Sequence, residues 1–306
     1  MSSIAVIGAG LIGRAWAIVF ARAGWDVALY DKFAAAREQA PLLIATSLKE
    51  MAEQGFSADT GTAGRIRISD SIPDAAKGAS FVQECGPEIL EAKLEIFGEL
   101  DRVTPPEAIL VSSSSAIVAS KFTEKLAGRA RCLVAHPVNP PHLVPIVELA
   151  PAPWTSAEVV ANARAIYESV KQVPILVKRE TEGFILNRLQ GALLSEAFRL
   201  VGEGYVSPQD LDKTIKDGLG LRWAFMGPFE TIELNAPGGI PDYCARYLGF
   251  YRRVLDDPPV SAYTEANVAN VVAQWDTPPP AELPKLTRRR DRRLAALRAH
   301  KLGARD

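Results

Sequence analysis

The chain has 306 residues, of which 48% are hydrophobic and 23% charged, and its formal net charge is -1. That length fits one large or two modest domains, and the hydrophobic fraction is ample for a full core. The balance of 35 basic against 36 acidic residues argues against nucleic acid or an acidic membrane surface as a partner. The chain has three cysteines and no CxxC pair, so we expect a cytoplasmic protein with no metal site. Its N-terminus shows no basic leader, and we expect no membrane partner.

Short β-rich segments alternate with helical patterns through the first half of the chain. The strand-like segments cover 4–8, 26–31, 65–69, 80–84, 108–112, 132–136, 146–150 and 174–179. The helical patterns between them include 11–23, 92–103, 157–170 and a longer one over 34–54 that indicates an insertion. This alternation predicts an α/β fold with a Rossmann-type, doubly wound and mostly parallel sheet.

The strand signals stop after residue 179, and the remaining patterns are helical. They cover 183–203, 207–217, 242–255 and 283–300. We therefore predict a Rossmann domain over 1–182 and an all-helical C-terminal domain over 183–306.

The basic segment KLTRRRDRRLAALRAHK (285–301) is open to two interpretations. It fits a nucleic-acid patch, or a solvated helix that packs on the body through Leu286, Leu294 and Leu297. Blocks of charge usually mark exposed faces, and the net charge is close to zero, so we favour the helix and expect no nucleic-acid partner.

The first strand-like segment runs into GAGLIG (8–13), a GxGxxG pattern. In such a turn, Gly8 permits the tight bend, Gly10 lets the backbone approach a pyrophosphate, and Gly13 lets the helix pack closely on the strand. Alone, the pattern also fits a glycine-rich turn with no ligand. Its position between a strand and a helix favours a dinucleotide site.

The helix that follows opens with Leu11 and Ile12, whose backbone N–H groups and positive dipole end suit a phosphate. Asp31 ends the next strand-like segment, 21 residues after Gly10. A carboxylate there accepts hydrogen bonds from ribose hydroxyls and repels a 2′-phosphate, which predicts NAD rather than NADP. Lys32, directly after it, weakens that preference slightly.

The segment AHPVNPPHLVPIVELA (135–150) places His136 and Glu148 on either side of a proline-rich loop. Such a rigid turn can bring the two side chains together, and a carboxylate fixes the tautomer of an adjacent imidazole and raises its basicity. The pair then serves as the base for a substrate hydroxyl. A lone histidine near prolines is often structural, but Glu148 in an apolar strand needs a buried partner. His142 is a rival base that we expect to be exposed or to face the substrate.

These residues belong to a set of motifs that resembles the 3-hydroxyacyl-CoA dehydrogenase superfamily. The motifs, in order, are GAGLIG, VQECGPE (82–88), SSSSAI (112–117), AHPVNPPHLVPIVEL (135–149), GFILNRLQ (183–190) and SPQDLD (207–212). AHPVNPP and DGLGLRWAFMGPFETIELNA (217–236) are similar to the λ-crystallin / L-gulonate 3-dehydrogenase branch. The resemblance covers residues 3 to about 255. It implies NAD-dependent oxidation of a 3-hydroxyl group and a homodimer formed by the helical domain.

The resemblance also implies roles for single residues. His136 corresponds to the catalytic base and Glu148 to its carboxylate partner. Ser115 corresponds to the serine that hydrogen-bonds the reacting oxygen, and Asn187 to an asparagine that the helical domain contributes. Taken by residue type alone, Ser115 also fits a turn or capping serine, and Asn187 fits a helix N-cap.

Three further positions follow from the same resemblance. Asn139 corresponds to the asparagine of an HxxNP motif at the substrate, and Glu88 and Lys93 correspond to residues that contact the cofactor on its ribose side. By their types alone, Glu88 and Lys93 also fit the solvated start of a helix.

Departures from the family pattern bear on the substrate. The acyl-CoA members carry a stretch like HFFNPVPVMK where this chain has HPVNPPHL (136–143), and Arg37 and Lys49 are the cations of residues 34–64. Both features disfavour coenzyme A. Arg222, in the small and apolar stretch GLGLRWAFMGP, suits a substrate carboxylate, or else is solvated or ion-paired.

We therefore predict an NAD-dependent dehydrogenase of a small 3-hydroxy acid, with L-gulonate as the first candidate substrate. L-carnitine dehydrogenase is an alternative, because Trp223, Phe225 or Tyr243 could contribute to an aromatic cage for a quaternary ammonium. L-3-hydroxyacyl-CoA dehydrogenase is another. A non-catalytic, crystallin-like structural role is the last, and it would not require the His136 and Glu148 pair.

Overall fold

The computed structural model describes residues 2–56, 61–255, 266, 269, 273–274 and 280–303. The chain divides into two compact units. One comprises Met1–Asn187 together with Glu282–Asp306, and the other comprises Arg188–Ala281. The C-terminal helix thus groups with the first unit, whereas the sequence led us to place it with the other helices. The division into domains at residue 182 stays a prediction.

An eight-stranded sheet forms the centre of the first unit. Its strands are β1 (Ser3–Ile7), β2 (Asp26–Tyr30), β3 (Ile66–Ser69), β4 (Phe81–Glu84), β5 (Ile109–Ser112), β6 (Cys132–Pro137), β7 (Ile146–Pro151) and β8 (Val173–Leu176). The spatial order is β3-β2-β1-β4-β5-β6-β7-β8. Only the β6–β7 pair is antiparallel among these strands. The predicted Rossmann-type sheet is therefore confirmed.

Both faces of the sheet are buried, which explains the uninterrupted apolar runs of its strands. In β1, Ile4 and Val6 pack into one core cluster, while Ala5 and Ile7 pack into the other. This follows from the two-residue period of a strand, which sends alternate side chains to opposite faces. The sheet therefore stands between two apolar layers.

Helices cover the two faces of this sheet. They are α1 (Leu11–Arg22), α2 (Ala34–Glu53), α3 (Ile72–Ala76), α4 (Leu90–Val103), α5 (Ser120–Thr123) and α6 (Ala157–Ser169). The predicted insertion over 34–54 is α2. The sequence prediction missed α3 and α5, since helices of five and four residues are too short to show a helical period.

The second unit is helical throughout its described residues. Its elements are α7 (Leu186–Gly202, beginning in the first unit), α8 (Pro208–Lys213), a π-helical turn (Thr214–Leu219), α9 (Gly220–Trp223), α10 (Pro228–Leu234) and α11 (Gly239–Leu255). Ser207 caps α8 by accepting a hydrogen bond from the backbone N–H of Asp210. The prediction missed α9 and α10, where glycine and proline interrupt the helical pattern.

A 3-10 turn (Pro280–Glu282) leads into the terminal helix, α12 (Leu283–Gly303). Ala295 is buried in the core of the first unit, and Leu294 packs against the same core. Leu286 and Leu297 are exposed, however, so the expectation that both pack on the body is wrong. In the described part of the chain, no helix combines the length and apolar character that a bilayer crossing requires.

Candidate active site

The glycine turn between β1 and α1 requires glycine at two positions. Gly8 has φ +110°, and a Cβ on it would lie 2.6 Å from the carbonyl oxygen of Cys85. A Cβ on Gly13 would lie 1.7 Å from the carbonyl oxygen of Gly8. Gly10 has no heavy atom within 4 Å of that position, so the backbone there is open to a ligand. This geometry fits a pyrophosphate approaching the turn and the first residues of α1, Leu11 and Ile12.

Asp31 is fixed beside this turn. Its carboxylate accepts hydrogen bonds from the backbone N–H groups of Ala9 (2.8 Å) and Phe33 (2.9 Å). The carboxylate lines a cleft of about 410 Å³ together with Glu95 and Glu99. Three acids against one cation, Lys32, among the lining residues disfavour a 2′-phosphate and suit the free ribose hydroxyls of NAD.

His136 and Glu148 lie opposite each other in the antiparallel pair β6–β7. Nδ1 of His136 is 2.8 Å from Oε2 of Glu148, and the two residues are 6% and 1% exposed. The other carboxylate oxygen accepts hydrogen bonds from the backbone N–H groups of Ile185 (2.9 Å) and Leu186 (3.0 Å). The ring of Phe184 lies 5.5 Å from the imidazole, so the pair is enclosed on that side. Their predicted adjacency is confirmed.

The surroundings of Glu148 keep it ionised. Burial raises its pKa, but the hydrogen bonds from His136, Leu186 and Ile185 outweigh burial, so the pKa lies below its ordinary value. An ionised carboxylate only accepts hydrogen bonds, so Nδ1 of His136 carries the proton. In the neutral imidazole with this tautomer, Nε2 holds the lone pair that a general base requires.

Ser115 and Asn187 meet at the entrance to the same region. Nδ2 of Asn187 donates a hydrogen bond of 3.0 Å to the carbonyl oxygen of Ser115. Asn187 directly follows Leu186, whose backbone N–H binds Glu148. The start of α7 therefore connects the serine loop to the histidine–glutamate pair.

Glu88 holds the serine loop in shape. Its Oε1 accepts hydrogen bonds from the backbone N–H groups of Ser115 (3.1 Å), Ala116 (3.0 Å) and Ile117 (3.2 Å), and from the hydroxyl of Ser114 (2.5 Å). The start of a solvated helix would not require such bonds. A contact of Glu88 with the cofactor stays a prediction.

Lys93 does not lie at a solvated helix start, because the residue is only 1% exposed. Its ammonium lies 2.9 and 2.8 Å from the two carboxylate oxygens of Glu84, which also accepts a 2.6 Å hydrogen bond from the hydroxyl of Ser112. Sequence reasoning missed Glu84 and Ser112. The signal was present, since Glu84, like Glu148, is an acid within a predicted strand. A contact of Lys93 with the cofactor stays a prediction.

The remaining site candidates make none of the contacts described above. Asn139 is exposed in the loop after β6. His142 is half-buried rather than exposed, and burial together with Arg22 and Arg290 lowers its pKa to about 4. The expectation that His142 is exposed or faces the substrate is therefore not supported. Arg222 is exposed on α9 in the second unit, and its contact with substrate stays a prediction.

The described residues include no group of three or more His, Cys, Asp or Glu side chains that could hold a metal ion. Burial raises the pKa of Cys85 to about 12, so this thiol beside the glycine turn stays protonated at neutral pH. The buried pair of His136 and Glu148 supplies acid–base chemistry at the site.

Comparison with protein families gives two adjoining matches. Residues 3–181 match the NAD binding domain of 3-hydroxyacyl-CoA dehydrogenase, and residues 183–275 match its C-terminal domain. The chain is 44% identical over 256 residues to a lambda-crystallin homolog from Rattus norvegicus, covering 82% of this chain and 80% of the relative. It is 36% identical to an L-carnitine dehydrogenase from Streptomyces coelicolor, with coverage of 77% and 74%.

Solved structures show the same architecture. The dehydrogenase of 5-formyl-3-hydroxy-2-methylpyridine 4-carboxylic acid, an NAD+-dependent dismutase, matches with a TM-score of 0.85, 27% identity and coverage of 100% of both chains. The 3-hydroxybutyryl-CoA dehydrogenase of Escherichia coli K12 matches with a TM-score of 0.67 and 30% identity, covering 82% of this chain and 53% of that one.

Proposed function

The chain belongs to the 3-hydroxyacyl-CoA dehydrogenase family and is an NAD-dependent oxidoreductase acting on a CH–OH donor, and from this premise we propose a specific reaction. The protein oxidises the 3-hydroxyl of a small free hydroxy acid, such as L-gulonate, to the 3-keto acid. The observation that carries the proposal is the buried pair of His136 and Glu148, joined at 2.8 Å.

In the proposed reaction, Nε2 of His136 accepts the proton of the substrate hydroxyl. The ionised Glu148 holds the imidazole by its Nδ1–H and stabilises the imidazolium that forms. Bound NAD supplies the hydride acceptor at the substrate carbon. General base catalysis of this kind contributes about 10²- to 10⁴-fold to the rate.

The developing carbonyl oxygen requires donors that are already in position. We assign this role to the hydroxyl of Ser115 and to the amide of Asn187. An asparagine amide has two N–H donors, and one of them is engaged by the carbonyl oxygen of Ser115 at 3.0 Å. The other N–H is free to serve the substrate. Asn139, exposed after β6, is the proposed further contact to the substrate.

Two observations favour a free acid over a coenzyme A thioester. Arg37 lies in the segment where a basic cluster for the coenzyme phosphate would be sought, but it donates a 2.8 Å hydrogen bond to the carbonyl oxygen of Asp31 and stacks over Tyr30. These two contacts hold Arg37 on the cofactor side of the fold. Arg222 supplies an exposed guanidinium for a carboxylate, and bidentate pairing is the common mode of such recognition.

L-carnitine is the second candidate substrate. It is favoured by the exposed aromatic side chains of the second unit, where Trp223 is 42% exposed and the rings of Tyr243 and Tyr247 lie 4.7 Å apart. Aromatic faces bind quaternary ammonium groups. A true 3-hydroxyacyl-CoA dehydrogenase stays a further alternative. A purely structural, crystallin-like role would leave the buried His136–Glu148 pair without a purpose.

We also propose a cytoplasmic homodimer. The second unit exposes several large apolar side chains, namely Leu221, Phe225, Phe229, Leu234 and Phe250. Apolar exposure on this scale is typical of a surface that a partner covers. The cysteines are free thiols, which fits a reducing compartment.

The test is NADH formation by the purified protein with L-gulonate, L-carnitine, L-3-hydroxybutyrate and 3-hydroxybutyryl-CoA, each with NAD and with NADP. We expect turnover of a free acid with NAD. Turnover of L-carnitine alone would establish the second candidate. Turnover of the thioester alone would contradict the free-acid proposal and leave the family membership intact.

A further inference from the structure

The first unit contains a second cavity, which shares no lining residue with the cleft beside the glycine turn. Its volume is about 600 Å³, within the range of small-molecule sites. Four cationic residues line it: Arg22, Arg65, Lys171 and Arg298. None of the described lining residues is a carboxylate. We call it the basic cavity.

Two nitrogen atoms at the basic cavity are buried without a hydrogen-bond partner among the described residues. They are Nε of Arg22 and Nδ1 of His142. A buried polar atom that lacks a partner destabilises a fold, and a charged group does so more strongly. Both residues belong to the cavity wall, which is therefore rich in polar groups that the described residues do not satisfy.

The positive groups around the cavity also disfavour one another. Burial and then Arg22 lower the pKa of Arg298 to about 10. Burial and then Arg22 and Arg290 lower the pKa of His142 to about 4. Burial is the larger cause of both shifts, and the positive neighbours add an electrostatic cost to each. A bound anion would remove that cost.

The guanidinium groups are held in place before any ligand arrives. Arg298 donates hydrogen bonds to the carbonyl oxygens of Leu143 (3.3 Å) and Lys171 (2.9 Å). Arg22 lies over the ring of Phe56, 5.2 Å from its centroid. Less conformational freedom is therefore lost when these groups bind a ligand.

Lys171 lies on the cavity wall in a strained backbone conformation. It follows α6 with φ +63°, in the left-handed region where glycine is favoured after a helix. A lysine there carries backbone strain that glycine would not. Its position on the cavity wall supplies a reason for retaining the side chain.

We propose that the basic cavity binds a phosphate-bearing small molecule at a site separate from the cofactor cleft. The guanidinium fork matches the oxygens of a phosphate, and the three cations Arg22, Lys171 and Arg298 suit a doubly charged anion better than a single carboxylate. The volume accommodates a phosphorylated metabolite and not only the free ion.

The probe is inorganic phosphate, added to the protein saturated with NADH so that the glycine turn is filled. Chloride at equal ionic strength is the reference, and citrate represents polycarboxylates. Binding is followed by calorimetry and by NMR of the imidazole signals of the three histidines. The signal of His142 is identified by its loss in His142→Gln. On its other side His142 faces Glu50, Asp291 and Arg292, which the added anion leaves unchanged.

We expect phosphate to bind and to raise the pKa of His142. Lys171→Gly removes one cation and relieves the left-handed strain, so the melting temperature should hold or rise while phosphate affinity falls about tenfold. The control Lys125→Ala removes an exposed lysine elsewhere and should change neither.

Three results would overturn the proposal: no phosphate binding above the chloride reference, phosphate affinity equal in Lys171→Gly and Lys125→Ala, or citrate binding where phosphate does not bind. No hydroxy acid is present in these measurements. Failure here is therefore distinct from failure of the proposed dehydrogenase reaction.

Discussion

Replacing Glu148 with glutamine tests whether the charge of the buried pair drives proton abstraction. The substitution keeps the size of the side chain and removes its charge. Two unit charges about 4 Å apart interact by about 4 kcal/mol at an effective dielectric of about 20. The imidazolium forms only as the reaction proceeds, so this stabilisation is lost from the transition state. At about 1.4 kcal/mol per decade, kcat should fall by up to about a thousandfold.

Glu148→Gln should also alter the pH dependence of stability. The folded pKa of Glu148 is depressed, so its contribution is complete above the unfolded value and is lost as the pH falls through the folded value. The glutamine variant lacks this acid-side loss. At neutral pH it is less stable by about 1–3 kcal/mol, because its single amide oxygen can accept either the bonds from Ile185 and Leu186 or the one from His136, but not both sets.

The assay is steady-state NADH formation together with thermal unfolding from mildly acidic to neutral pH. Glu180→Gln is the matched control, since Glu180 accepts a 2.9 Å bond from the backbone N–H of Ser120 away from the histidine. We expect the control to retain kcat within about twofold. A kcat for Glu148→Gln equal to that of the control would refute the electrostatic role of Glu148.

Three further substitutions test the surrounding network. Glu88→Gln should lower kcat by about tenfold, because the Ser115 loop loosens. A raised KM for NAD with unchanged kcat would instead identify Glu88 as a cofactor contact. Asp31→Asn should improve use of NADP relative to NAD by about tenfold, and an unchanged ratio of kcat/KM would exclude Asp31 as the discriminating charge. Lys93→Met leaves the carboxylate of Glu84 buried and unpaired, so thermal unfolding should show a free energy of unfolding lower by about 3–5 kcal/mol. The double variant with Glu84→Gln should recover part of this loss.

Patterns that depend on neighbours in the sequence were predicted well. All eight strands were expected, most of them from apolar runs, because strands covered on both faces show little polar interruption. The adjacency of His136 and Glu148 followed from a short, stiff loop between neighbouring strands. In both cases the interactions that decide the structure lie within a few residues or across one turn.

Features that depend on distant partners were not predictable in the same way. The serine loop is held by Glu88 across 26 to 29 residues, and the sequence of neither segment indicates that the two are in contact. The burial of Lys93 depends on Glu84 at the end of a neighbouring strand. His142 resembled an exposed loop residue because the helix that covers it, α12, lies more than a hundred residues further along the chain.

The most direct test of the central claim compares two histidines within one protein. His136→Gln and His142→Gln are assayed for NADH formation with the free acid that the panel identifies, and NAD affinity is titrated for both. We predict that His136→Gln loses at least about a hundredfold in kcat with unchanged NAD affinity, while His142→Gln stays within about twofold of the parent. Undiminished turnover by His136→Gln would contradict the assignment of His136 as the base.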